Sequence, residues 1–158
     1  MEQQRSAVER VRVALRAAGV TIEIRRFDAS TRTARDAADA IGTTVGQIVK
    51  SLVFLSGERP VLVLVSGSNQ LDPAKLEVMS GAEIRKADAA VVRQATGYAI
   101  GGVPPCGFPE PLPTFIDRDL FRYEEVWAAA GTPNDVFKTN PEELRRLTSG
   151  VVADVKRD

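Results

Sequence analysis

The pair of runs Ile48-Val49-Lys50-Ser51-Leu52-Val53-Phe54-Leu55 and Val61-Leu62-Val63-Leu64-Val65 constrains the fold more than any other stretch. The first is rich in β-branched residues and reads as a strand. The second is a continuous apolar run of strand length, the pattern of a strand buried on both faces. Ser56-Gly57-Glu58-Arg59-Pro60 between them is a turn, so the two form a hairpin. Strand alternation puts Lys50 on one face with Leu52 and Phe54, and Ser51 on the other with Val49, Val53 and Leu55. Both faces are mostly apolar, and cover on both sides is expected. A lysine is out of place there. It must carry its ammonium to an edge or meet a partner. Two readings stay open: a functional lysine whose pKa burial pushes down, or a salt-bridged or outward-facing one.

Around this hairpin the chain alternates short helices and strands. Val8, Val11, Leu15 and Ala18 recur at helical spacing and Gly19 ends them. Thr21–Phe27 alternates as a half-buried strand. Thr33 with Asp36 starts a small helix that Gly42 closes, and Thr44-Val45-Gly46-Gln47 predicts a further helical turn. Asp72-Pro73 opens a helix ended by Gly81, Ile84 sits in a short strand, and Asp88 caps a helix stopped by Gly97. Leu112–Asp117 reads as a strand and Asp119–Tyr123 as a helical turn capped by Asp119. Glu125–Ala129 is a helix or a strand. Asn140-Pro141-Glu142-Glu143 starts a helix running to Gly150, and Val151–Val155 is a last strand. No steady strand–helix–strand rhythm and no GxGxxG or GxxxxGK[ST] motif is present. The fold class expected is therefore α+β, with a mixed β-sheet or partly closed barrel flanked by short helices. At 158 residues the chain is expected to be a single domain, residues 1–158.

A second feature is the run Ala95 to Gly107, which holds four of the twelve glycines and two of the nine prolines. Glycine admits positive φ and close backbone approach, whereas proline fixes φ and lacks an N–H. Such a segment is either a shaped loop with amides free to hold a carbonyl oxygen or oxyanion, or a tight connection.

Composition narrows the chemistry. Histidine is absent, which removes Ser-His-Asp and Cys-His nucleophile activation and HExxH zinc sites. The lone cysteine, Cys106, excludes an internal disulfide and any multi-cysteine metal site. With Pro105 before it and no base available, Cys106 reads as a packing residue rather than a nucleophile. An enzyme built from this chain must rely on backbone amides, lysine, carboxylates, hydroxyls or its substrate. The 21 basic and 21 acidic residues balance, so contact with RNA would be local and not the broad basic surface of a general binder. Without a signal-like or membrane-length apolar run, the expected compartment is the cytoplasm.

Gln47–Phe54, Ala95-Thr96-Gly97-Tyr98, Gly101-Gly102-Val103-Pro104-Pro105-Cys106-Gly107 and Leu112–Asp117 together resemble the YbaK/EbsC family. These are ProX-like trans-acting aminoacyl-tRNA deacylases, related to the editing domain of bacterial prolyl-tRNA synthetase. The resemblance implies hydrolysis of the ester of a mischarged tRNA, such as alanine or cysteine on the proline acceptor, without metal or other cofactor. It maps the family lysine onto Lys50 and the GxxxP loop onto Gly101 to Pro105. The implied catalytic set is Lys50, Gly101 and Gly102, the glycines as oxyanion donors. The implied substrate-binding set is Phe27, Thr31, Ser66, Gly97, Val103 and Pro105. The implied partner is the 3′ aminoacyl end of a mischarged tRNA, with an aminoacyl-tRNA synthetase as a further candidate. Pro104 and Cys106 stand where relatives often carry a small residue and Leu or Phe, which leaves the amino-acid preference open. No role is carried onto Asp135. The alternative from another class is a non-catalytic module that binds aminoacyl-tRNA or a synthetase.

Overall fold

The hairpin forms as the two apolar runs require, and the other elements are arranged on it. In a computed structural model that describes residues 6–28 and 33–158, the first elements are α1 (Ala7–Ala17), β1 (Ile24–Arg26) and α2 (Ala34–Ile41). A 3-10 turn (Val45–Gln47) leads into β2 (Val49–Ser56) and β3 (Arg59–Ser66). Then come α3 (Pro73–Ser80), β4 (Ile84–Lys86), α4 (Ala89–Thr96) and β5 (Thr114–Asp117). After a second 3-10 turn (Arg118–Arg122), β6 (Val126–Ala129), β7 (Asp135–Thr139), α5 (Pro141–Thr148) and β8 (Val151–Ala153) complete the fold.

The strands make two sheets, ordered β4-β2-β3-β5-β8 and β1-β7-β6. The larger is mixed: β3 is antiparallel to β2 and parallel to β5, and β5 is parallel to β8. The smaller is antiparallel throughout. A single parallel bridge, Ile48 to Trp127, joins them. The α+β class with a mixed sheet is therefore observed, and no closed barrel forms. Gly57, at φ 61, is the first of two residues connecting Ser56 to its partner Arg59, the position where a tight hairpin needs positive φ.

β3 explains the layering. Leu62 and Leu64 point into one core with Val11 and Leu15 of α1, Ile116 of β5, Leu120, Phe137 and Leu144. Val61, Val63 and Val65 point into a second core with Phe54, Leu71, Leu76 and Val155. Each of these β3 side chains is buried, and full burial of one such residue stabilises by roughly 1.5–3 kcal/mol. A smaller third cluster packs α2 (Ala37, Ala38) on Ile48, Trp127 and Val136, holding the small sheet to the start of β2. Its alanines let the helix approach closely.

Helix ends follow the caps in the sequence. Ser6, Thr33, Asp72, Asp88 and Asn140 each accept a first-turn amide. Six readings change. β5 comes out shorter, as Thr114–Asp117, and β8 as Val151–Ala153. Asp117, not Asp119, caps the turn at Arg118–Arg122, because the β5 carboxylate already faces the incoming amides. The undecided Glu125–Ala129 segment is strand β6, paired to β7. α5 ends with Ser149 in the left-handed region (φ 53), one residue before Gly150. β1 spans only Ile24–Arg26, the three residues that face β7. Among the described residues no helix is long and apolar enough to cross a membrane.

Gly67, just past β3, is required by space. A Cβ there would stand 2.3 Å from the Val45 carbonyl oxygen and 2.8 Å from the Ala34 Cβ. Backbone cannot yield as a side-chain tip can. Gly67→Ala is expected to cost about 1–3 kcal/mol, read as a Tm lowered by roughly 2–10 °C in thermal denaturation; an unchanged Tm would contradict this packing.

Candidate active site

The site follows from a gap in sheet pairing. β4 lies beside only Phe54, Leu55 and Ser56 of β2, and β6 reaches β2 only through Ile48. Between them, Val49 to Val53 have no strand on that side among the described residues. Gly67 N–H donates to the Ile48 carbonyl (2.7 Å), so Ile48 faces β3. By strand alternation the N–H and C=O of Ser51, in the middle of the gap, face the opposite, open side.

A cavity of about 320 Å³ occupies this gap. Its walls are Ile48 to Leu52, Thr33 with Ala34 and Ala37 of α2, Trp127 to Ala129 of β6, Val136, and Ile100, Gly101 and Val103 from the Gly/Pro loop. A smaller cavity of about 150 Å³ adjoins it towards β4 and α4, sharing Ser51, Leu52, Ile100 and Val103. Ile100 overhangs both and is 55% exposed, a large apolar side chain left at the mouth.

Lys50 contributes to the wall, and its Nζ donates to the Asn69 carbonyl. That carbonyl belongs to a loop held by Asp117. The Asp117 Oδ2 accepts from Ser66 N–H (3.0 Å) and Asn69 Nδ2 (2.8 Å), and its Oδ1 from Asp119 N–H (2.9 Å). Burial lowers the Lys50 pKa, and the Asp117 charge opposes the shift in part. An ammonium carries three donors, so Lys50 keeps capacity for a ligand oxygen beyond Asn69.

Of the two loop amides expected as oxyanion donors, one is free. Gly101 lies in the wall at φ 91, and its N–H makes no hydrogen bond among the described residues. The Gly102 N–H instead donates to the Ala99 carbonyl (3.0 Å). Its expected place as an oxyanion donor is corrected on that ground. Gly102 serves packing: a Cβ there would come within 2.8 Å of the Gly131 carbonyl oxygen and the Thr132 Cα.

The implied binding residues divide. Val103 is buried in the cavity wall. Phe27 packs on the cluster behind it. Thr31 lies outside the described residues. Three do not reach the cavity. The Ser66 hydroxyl is tied to the Gly46 carbonyl (2.7 Å) at the end of β3. Gly97 terminates α4 at φ 83, its carbonyl accepting from Arg10 Nη2 (3.0 Å). Pro105 lines a separate groove with Cys106, Phe108 and Leu112. Cys106 packs against the main core, and burial pushes its thiol up to about 11. The Asp135 carboxylate is bound by Arg26 Nη1 (2.9 Å) and the Thr132 hydroxyl.

Several site residues carry weak sequence signals. Ser51 was read only as the neighbour of Lys50, yet its Oγ is buried and makes no hydrogen bond. Trp127, the single tryptophan, looks isolated in sequence, but β6 carries it to the cavity. On the same sheet face, Arg25 is exposed and sits 5.3 Å from the ring centres of both Phe27 and Trp127. It forms no ion pair among the described residues. The guanidinium is thus held over the tryptophan ring that lines the cavity.

The arrangement offers a small apolar chamber, a free loop amide at Gly101, a desolvated lysine and an open strand edge, all without histidine. Comparison with known proteins agrees with an editing domain. The aminoacyl-tRNA editing domain family matches residues 28–147. The uncharacterized protein YwhH of Bacillus subtilis is 31% identical over 86% of this chain and 88% of its own length. EbsC of Enterococcus faecalis, named as a proposed Cys-tRNA(Pro)/Cys-tRNA(Cys) deacylase, is 28% identical over 77% of this chain and 76% of its own. Proline–tRNA ligases match over a minor part of their length, 22% for that of Elusimicrobium minutum. A crystal structure of a protein described as a candidate trans-editing enzyme for prolyl-tRNA synthetase superposes with TM-score 0.93. It shares 47% identity, over 99% of this chain and all of that one. With the family match covering most of its length, the chain belongs to the aminoacyl-tRNA editing domain family.

Proposed function

We propose that this protein is an aminoacyl-tRNA deacylase that hydrolyses the ester of a mischarged tRNA in the cavity beside the open edge of β2, acting on alanine or cysteine carried by the proline acceptor. The observation that carries the reading is the pairing of Lys50 with the unpaired Gly101 amide in one small chamber. Ester hydrolysis passes through a tetrahedral intermediate whose oxygen becomes an anion, and preorganised donors in a dry site stabilise it. Gly101 N–H and the Lys50 ammonium are donors of that kind. Water adds to the carbonyl carbon, the bond to the ribose oxygen breaks, and the ribose hydroxyl leaves protonated. The products are a free amino acid and an uncharged tRNA. The chain has no histidine and, among the described residues, no carboxylate lines the chamber, so the substrate's neighbouring ribose hydroxyl is assigned to relay the water's proton to the leaving ribose oxygen. The family's name and the trans-editing relative support this reading, as does a chamber whose size and apolar walls suit a small side chain.

The RNA side of the substrate must be met locally because the chain carries no net charge. Arg25, lying over Phe27 and Trp127 and without an ion pair among the described residues, is suited to the terminal phosphates. A synthetase partner would add tRNA affinity that one rim cation does not supply.

Lys50→Ala is expected to lower kcat on alanyl- or cysteinyl-tRNA of the proline acceptor by about 10²–10³-fold, with the circular dichroism spectrum unchanged. Retained turnover would remove Lys50 from the reaction. In the wild type the enzyme-dependent rate, corrected for spontaneous hydrolysis, should fall on the alkaline side at a pH below the ordinary lysine value of 10.5, because burial lowers this ammonium's pKa. An alkaline limb at or above the ordinary value would contradict a desolvated cation.

Cys106→Ala should leave kcat/KM within about twofold, since a thiol at about 11 is only about one part in ten thousand ionised at pH 7. Arg25→Ala should raise KM for the tRNA substrate and reduce the salt slope of binding by about one, while hydrolysis of a short aminoacyl ester stays unchanged. Equal losses on both substrates would place Arg25 in the chamber itself.

A further inference from the structure

The polar groups of Ser51 have no task in the folded chain. Its Oγ is buried and without a hydrogen-bond partner, and its main-chain N–H and C=O face the side of β2 that no strand covers. Buried hydroxyls are nearly always satisfied, and an exception calls for a ligand or a cost. Apart from Lys50, Ser51 and Thr33, the larger cavity's wall carries no polar side chain among its described residues, and the Thr33 hydroxyl is already occupied as the α2 cap, accepting from Asp36 N–H (3.0 Å). Lys50 and Gly101 are donors and suit an acyl oxygen. The acceptors on this edge are the Ser51 carbonyl and hydroxyl.

The substrate of the proposed reaction needs both kinds of group. An aminoacyl ester presents a carbonyl oxygen, which requires donors, and one carbon away an α-ammonium, which requires acceptors. We infer that Ser51 receives the α-ammonium of the aminoacyl group through its hydroxyl and its main-chain carbonyl, and so distinguishes aminoacyl from simple acyl esters. The inference rests on the deacylase reading and deepens it. A strand edge is suited to the task, since it presents a fixed carbonyl at the spacing another strand would use. Seating the ammonium beside Ser51 turns the acyl carbonyl towards the Gly101 side of the chamber. Such a contact also rejects ligands that lack the amine, because buried polar groups are then left unpaired.

A binding measurement separates this claim from catalysis. Two non-hydrolysable adenosine derivatives, 3′-alanylamino-3′-deoxyadenosine and 3′-propionylamino-3′-deoxyadenosine, differ only in the α-amine. Their Kd values are measured by calorimetry on wild type, Ser51→Ala and Ser51→Thr. The amine-bearing compound should bind wild type at least tenfold more tightly. That ratio should fall by about tenfold in Ser51→Ala, which keeps the main-chain carbonyl, and persist in Ser51→Thr, which keeps a hydroxyl. The Tm of Ser51→Ala should match wild type or exceed it by about 2–4 °C, since an unpaired buried hydroxyl is removed. Equal binding of the two compounds to wild type, binding of neither, an unchanged ratio in Ser51→Ala, or a Tm several degrees lower would each overturn the inference. Ester hydrolysis by the wild type is scored separately. Its absence would defeat the deacylase reading while the Kd ratios still decide the role of Ser51.

Discussion

The burial of β3 on both faces is the constraint on which the structure depends. A strand of alternating Val and Leu with no polar face cannot lie on a surface, so it must have layers on both sides and neighbours on both edges. β2 and β5 supply the edges, and the two cores on either side supply the cover. The position of β2 is then fixed, with its full length paired to β3. What β2 presents on its outer edge is free to vary, and here two short partners leave its middle open. The cavity is thus a consequence of mismatch in strand length. An eight-residue strand is met by the three residues of β4 and by one bridge from β6.

The same geometry accounts for the unusual lysine. Lys50 lies opposite Val65, on the face of the second core, where a charge would be costly without partners. The chain answers at the end of β3. Asp117, nearly inaccessible to solvent, gathers Ser66, Asn69 and Asp119, and the Asn69 carbonyl is brought to the Lys50 ammonium. Asp119 is tied in turn to Asn69, Arg122 and Lys156, which hold its carboxyl below the usual range against burial. Among the described residues Lys50 forms no ion pair, and the Asp117 charge acts on it through space. The acidic group stands behind a main-chain acceptor, where it steadies the cation and leaves donors uncommitted.

Much of this architecture was legible because it rests on local rules. Polar caps with a following glycine located α2, α3 and α4, and a β-branched run followed by a continuous apolar one located the hairpin. Segments decided by long-range pairing were not legible. Val126–Ala129 becomes a strand because β7 lies beside it, and nothing within those four residues says so. The site shows the same division. Lys50 and Gly101 announce themselves, one by a charge in an apolar strand and one by glycine in a shaped loop. Gly102 shares that signal, but only the folded turn shows that Ala99 takes its amide. Ser66 and Gly97 are polar or flexible for reasons of loop and cap geometry that sequence cannot distinguish from binding. Ser51 and Trp127 enter through the open edge of β2, a property of strand lengths in space.

A site made this way tolerates the loss of the side chains enzymes most often use. Histidine normally serves as base or as donor. In the proposed reaction the donors are a glycine amide and a lysine, and the base is left to the substrate. Main-chain groups cannot be removed by substitution and do not titrate near neutral pH, so the chemistry is insensitive to much of the sequence around it. Selectivity cannot reside in those groups either, because every acyl ester carries the oxygen they stabilise. It must come from side chains that border the chamber: Ala34 and Ala37, whose small size sets its width, Ile100 at its mouth and Ser51 at its edge. Enlarging α2's alanines would narrow the acyl space without touching Lys50 or Gly101. Under the proposed reading, a fixed set of donors and a variable wall would be the physical basis on which one fold accepts different acyl groups.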